Sequence, residues 1–221
     1  MQRELSITVG ATRLQGVLRV PPGSRGIVLF AHGSGSSRLS PRNTYVAERL
    51  SDAGLATLLF DLLTSEEDEF DAVTAKLRFD IAFLTDRLCA ATVWTQRQAE
   101  LEGLAIGYFG ASTGAAAALA AAARMPTIGA VVSRGGRPDL AGEALAEVRA
   151  PTLLIVGGAD REVLTLNRRA LERLSCEARL EVVAHATHLF VEPGALEQVA
   201  SLATSWFERY LGASGAIQAP M

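Results

Sequence analysis

Gly110-Ala111-Ser112-Thr113-Gly114 is the segment with the clearest chemical meaning. It follows an apolar run at residues 104–109 and opens an alanine-rich stretch, so a strand should turn sharply into a helix at Ser112. Such a turn lifts a serine hydroxyl above a sheet, and its crowding demands small residues two before and two after the serine. The first amides of the helix then favour negative charge beside the hydroxyl. A serine hydroxyl is a weak nucleophile and needs a base that is itself held by a third group. Downstream, the apolar run 152–156 leads through Gly157-Gly158-Ala159 to Asp160. The run 180–183 leads to His185 and His188. Serine, aspartate and histidine each follow a strand, and on an open parallel sheet those loops gather along one edge. Three placements that agree point to nucleophilic attack on a carbonyl, with Ser112, His188 and Asp160 as catalytic residues. His188 is preferred to His185 because a base that must reach across the sheet edge needs some length of loop; His185 stays the alternative.

Attack on a carbonyl also needs donors for the developing oxyanion. Ala31-His32-Gly33-Ser34-Gly35-Ser36 follows the apolar run 26–30 and has the glycine content of such a loop. The expected donors are the backbone N–H groups of Ser34 and Thr113, whose side chains should matter little. His32 reads as an imidazole that staples this loop. Arg134, in Ser133-Arg134-Gly135-Gly136-Arg137, lies on the same edge and is the candidate receiver of a substrate carboxylate, with Arg137 the alternative. Asp139 reads as a helix N-cap and Asp61 as a turn residue. The acidic run at residues 66–69 reads as a solvated loop.

The elements that must position these residues are short apolar runs alternating with helical ones. Strands are expected at residues 5–9, 13–20, 26–31, 56–60, 104–109, 128–132, 152–156 and 180–183. The continuous runs, without period-two alternation, suit strands buried on both faces. Helices are expected at 43–53, 73–98, 114–125, 140–147, 164–174 and 194–211. In the second of these, Leu77, Ile81, Leu84, Leu88 and Ala91 keep the spacing of one buried helix face. The alternation predicts an α/β fold with about eight mostly parallel strands, helices on both faces and an antiparallel hairpin at the start. One domain over residues 1–211, with a loose tail at 212–221, fits a chain of 221 residues.

Composition narrows the classes further. With 49% apolar residues and a net charge of −3, the chain is neither disordered nor a basic nucleic-acid binder. Two distant cysteines, Cys89 and Cys176, suggest neither a disulfide framework nor a zinc site. No metal or cofactor is expected: the three histidines lack metal-binding spacing, and the 32–36 loop lacks a nucleotide-binding pattern. No signal peptide or membrane span is visible, so a soluble, cytoplasmic protein with a small-molecule ester as its partner is expected.

At residues 32–35, 110–114, Asp160 and His188 the sequence resembles the α/β-hydrolase superfamily, and within it the dienelactone hydrolase-like esterases. The resemblance spans nearly the whole chain. It implies an eight-stranded sheet carrying a Ser112–His188–Asp160 triad and the activity of a carboxylesterase-type serine hydrolase. Two departures matter. Typical dienelactone hydrolases use a cysteine where this chain has Ser112. About twenty residues separate Val132 from Thr152, too few for the helical cap that many relatives insert there, so an open site for short-chain or accessible esters, lactones or thioesters is expected. The alternatives are a non-catalytic binding protein on the same fold, or an acyltransferase or perhydrolase using the same triad.

Overall fold

The structure is a computed structural model and describes residues 2–212. Eight strands form one sheet: β1 (Gln2–Val9), β2 (Thr12–Arg19), β3 (Gly26–Ala31), β4 (Ala56–Phe60), β5 (Ala105–Ala111), β6 (Ile128–Arg134), β7 (Thr152–Gly157) and β8 (Ala178–Val183). Their spatial order is β1-β2-β4-β3-β5-β6-β7-β8. β1 pairs antiparallel with β2, and β2 antiparallel with β4; all other pairings are parallel. Of the runs without alternation, β3, β4 and β7 are strands covered on both faces, with every residue buried, whereas the run at 180–183 lies in the edge strand β8 and leaves Val182 exposed.

Six α-helices lie among the described residues, α2 apart from the sheet and the others packed on it: α1 (Pro41–Asp52), α2 (Ser65–Thr74), α3 (Ile81–Gln96), α4 (Thr113–Arg124), α5 (Arg161–Arg173) and α6 (Ala195–Leu211). α1 and α6 pack on one face, around Val28, Phe30, Phe109 and Val132. α3 and α4 pack on the other, around Leu29, Leu58, Tyr108 and Val131. Ala115–Ala118 of α4 are all fully buried, so an alanine-rich helix can lie close against the sheet. Three strand glycines make room for α6: a Cβ on Gly107 would lie 2.8 Å from Phe207 Cε1, and Cβ atoms on Gly26 and Gly129 would each lie 2.7 Å from Leu211.

Three expectations need correction. The acidic run is not a solvated loop but the first turn of α2, where Thr64 accepts from Glu67 N–H and the Glu67 side chain accepts from Thr64 N–H. Acidic residues there suit the positive end of the helix. The single helix expected over 73–98 is interrupted. α2 ends at Ala75 in a left-handed conformation, a 3-10 turn spans Leu77–Phe79, and Asp80 caps α3 by accepting from Phe83 N–H. The stretch expected as a helix at 140–147 is 3-10, Pro138–Glu147, broken by Gly142 at φ 57°. The expected tail lies outside the described residues beyond Gly212. No helix among the described residues is long and apolar enough to cross a membrane.

Candidate active site

The parallel register sets the position of the serine. β5 lies between β3 and β6, with Gly110 opposite both Ala31 and Ser133 and Ala111 opposite Arg134. Ser112 follows at once with φ 50° and ψ −120°, a conformation that costs a non-glycine residue about 1–3 kcal/mol. Its surroundings hold it there. Ser112 N–H donates to Arg134 O at 3.2 Å, and Ser112 O accepts from the amides of Ala115 and Arg137, each at 3.1 Å. Both flanking glycines are required: a Cβ on Gly110 would lie 2.4 Å from Ala115 Cα, and one on Gly114 would lie 2.2 Å from Ala31 O. The serine is half-buried at the head of α4.

Asp160 sits between β7 and α5, where aspartate is a preferred helix cap. Its side chain makes no cap bond. The carboxylate accepts instead from His188, with Nδ1 2.7 Å from Oδ2. This bond directs the other ring nitrogen, Nε2, away from the aspartate. The loop carrying His188 is anchored by Phe190, fully buried at φ 54°, and by close approach to the end of β7, where a Cβ on Gly157 would lie 2.3 Å from Ala186 O. Gly135 connects the two halves of the site. It directly follows Arg134, whose carbonyl holds Ser112, and a Cβ placed on it would lie 3.6 Å from His188 Cε1. Ser112 and His188 thus flank the same two residues. His185 is exposed in a left-handed conformation (φ 62°), and the Asp160 carboxylate pairs with His188 instead.

The glycine-rich loop is stapled as expected of His32. His32 Nδ1 lies 3.0 Å from Gly33 O, and Nε2 accepts from Leu62 N–H at 3.0 Å. That pairing needs the neutral ring with its proton on Nδ1, and burial lowers the imidazole pKa below its usual value. Arg38 and Asp61 tie the far end of the loop, with Asp61 accepting from both the Arg38 backbone and its guanidinium. Asp61 is therefore more than a turn residue. Ser34 N–H donates to Thr113 Oγ1 at 3.0 Å, so the Thr113 side chain is not incidental: it holds the amide expected as an oxyanion donor. A small cleft beside it is lined by Gly33, Ser34, Thr113, Leu62, Leu63 and Arg78.

Arg134 is buried, not solvent-facing, and has no carboxylate partner among the described residues. Burial and the charge of Arg42 lower its pKa to about 10. Arg137 is occupied by Asp139 through two bonds, Nε–Oδ1 at 2.9 Å and Nη2–Oδ2 at 2.7 Å. Asp139 therefore pairs with Arg137 and caps nothing. Sequence reasoning missed α2 and the turn after it, which wall this side of the site. Buried Asp71 accepts from the amides of Leu77 and Arg78 and from Arg78 Nε, and so aims Arg78 at the cleft. The Thr64–Glu67 spacing was the available signal for that helix. Among the described residues no group of three His, Cys, Asp or Glu side chains could hold a metal ion.

Known proteins resemble the chain in sequence and fold. A crystal structure of dienelactone hydrolase from Anabaena variabilis ATCC 29413 is 58% identical, covers 96% of this chain and 98% of its own, and superposes with a TM-score of 0.94. Est1E from Butyrivibrio proteoclasticus shares the fold at 15% identity, with a TM-score of 0.79 over 95% of this chain and 99% of its own. A Mycobacterium tuberculosis H37Rv protein, provisionally named a phosphoribosyl transferase, is 56% identical over 213 residues. Those residues are 96% of this chain but 47% of that relative, so the chain spans about half the length of the curated relatives it matches. The model of the dienelactone hydrolase family matches residues 14–211, from the second strand through the last helix, and the chain belongs to that family.

Proposed function

We propose that the chain hydrolyses carboxylic esters through an acyl-enzyme on Ser112. The observation that carries this reading is the His188–Asp160 pair at 2.7 Å, set beside a serine held at φ 50°. His188 Nε2 takes the hydroxyl proton as Ser112 Oγ attacks the carbonyl carbon, and Asp160 stabilises the imidazolium that forms. The tetrahedral oxyanion is received by Thr113 N–H at the head of α4, with Ser34 N–H as second donor once it turns from Thr113 Oγ1. The intermediate collapses as His188 returns the proton to the leaving alcohol. Water, deprotonated by the same His188, then attacks the acyl carbon and releases the acid and Ser112. No helical cap is inserted between β6 and β7, where only the 3-10 stretch Pro138–Glu147 lies, so accessible esters, lactones and thioesters suit the site better than long-chain lipids. Of the two edge arginines, Arg134 is the one left for a substrate anion, since Arg137 is held by Asp139.

The phosphoribosyl transferase name belongs to proteins about twice as long, and the geometry here supports acyl transfer to water. Turnover of p-nitrophenyl acetate by wild type and Ser112→Ala tests the reading, with circular dichroism to confirm folding. Turnover in wild type and none above background in the variant is expected. Equal turnover in a folded Ser112→Ala would overturn it.

A further inference from the structure

Thr113 enters the site twice. Its N–H is the first donor to the oxyanion, and its Oγ1, 3.0 Å from Ser34 N, accepts from the second donor in the resting chain. Other contacts already position that second amide. His32 joins Gly33 O to Leu62 N–H, and Ser36 N–H donates to Gly33 O at 3.2 Å, which closes a turn around Ser34. Gly33 also lies directly against the nucleophile: a Cβ on it would sit 3.0 Å from Ser112 Cβ and 3.1 Å from Ala111 O. The Thr113 hydroxyl therefore occupies a donor whose place is set without it.

We propose that Thr113 Oγ1 is a resident ligand of the oxyanion hole, so that a substrate gains Ser34 N–H only by displacing it; this rests on the hydrolase reading above. An N–H carries one proton, and its bond to Thr113 Oγ1 leaves little for a second acceptor. A neutral ester carbonyl accepts about as well as a hydroxyl oxygen and gains nothing by the exchange. The oxyanion is charged, accepts about twice as strongly, and takes the proton from Thr113. Thr113 then turns about its Cα–Cβ bond within the cleft that it lines together with Asp68 and Arg78, side chains with which a hydroxyl can pair. The step from bound ester to transition state thus gains the same whether the amide first holds Thr113 or the carbonyl. What the resident hydroxyl removes is affinity for the ester. Thr113 Oγ1 is a positioning group that acts through Ser34 N–H, and it sets how tightly the site holds an unreacted carbonyl.

Stopped-flow acylation by p-nitrophenyl acetate separates ester binding (Ks) from the chemical step (k2) and tests the exchange. In Thr113→Ala the half-buried Ser34 amide holds only water before the ester binds. Ks should then fall about fivefold, the worth of one neutral hydrogen bond, with k2 within about twofold of wild type and k2/Ks raised about fivefold. Alanine suits a helix that continues with Ala115–Ala118, so this variant should fold, which circular dichroism checks. Thr113→Ser keeps the acceptor oxygen and should return Ks toward the wild-type value. A hydroxyl that merely tethers the loop would give the opposite sign, because a loosened amide lowers k2/Ks. A lower k2/Ks in folded Thr113→Ala, or an unchanged Ks, would overturn the proposal and leave the hydrolase reading standing. No acylation of folded wild type would overturn that reading, and this inference with it.

Discussion

Replacing Asp160 with Asn should separate catalysis from stability. In the wild type, Nδ1–H of His188 donates to Asp160 Oδ2 at 2.7 Å, which leaves Nε2 free to accept a proton. An Asn amide turned to donate to Nδ1 would hold the opposite tautomer, with the proton on Nε2, and the ring could no longer serve Ser112 as a base. The developing imidazolium would also lose its carboxylate. Substitutions of this kind in serine triads cost about 10,000-fold in kcat. At about 1.4 kcal/mol per factor of ten, that is about 5.5 kcal/mol of transition-state stabilisation. Folding should change little. The Asp160 side chain makes no cap bond to α5, Asn is an equally good residue at that position, and the hydrogen bond to a neutral imidazole is worth about 1 kcal/mol. The assay is kcat for p-nitrophenyl acetate alongside urea unfolding of both proteins. A loss of less than about tenfold in kcat would show that Asp160 merely ties down the His188 loop, and would refute the reasoning.

Two further outcomes follow from the same structure. Gly114→Ala would put a Cβ 2.2 Å from Ala31 O, a backbone atom that cannot turn aside, so a loss of about 3 kcal/mol or more is expected in urea unfolding; an unchanged midpoint would contradict the packing described. His32 is held neutral by Leu62 N–H, and burial lowers its pKa below 6.5 in the folded chain. The unfolded chain therefore binds the extra proton first, so the stability His32 contributes is complete above pH 6.5 and is lost as pH falls toward the folded value. Within that window wild type should lose up to about 1.4 kcal/mol per pH unit more than His32→Gln, and parallel pH profiles of the two would refute the assignment.

The inner strands of the sheet were legible in the sequence because they are buried on both faces, so each appears as an uninterrupted apolar run such as Gly26–Ala31. Ser112, Asp160 and His188 were legible for a related reason: each lies in the segment that follows a parallel strand, and parallel strands bring those ends together. The break before α3 was hidden because Leu77 and Ile81 continue the apolar spacing of Leu84 and Leu88 across it. Beside the Asp80 cap of α3, Asp71 reaches forward to the Leu77 and Arg78 amides and turns the chain there, with its carboxylate buried. The state of the arginines was not legible at all. Arg134 and Arg137 sit in one five-residue stretch, yet one is buried with no carboxylate partner among the described residues and the other is paired with its near neighbour Asp139. The hold of Thr113 Oγ1 on Ser34 N–H likewise depends on β3 and β5 lying side by side.

The most direct test of the central claim is intact-mass labelling with a fluorophosphonate, followed by peptide mapping. The account predicts one adduct per chain, carried by the peptide containing Ser112 and absent from Ser112→Ala. A folded wild-type chain that takes no adduct, or an adduct on another serine that persists in Ser112→Ala, would contradict it.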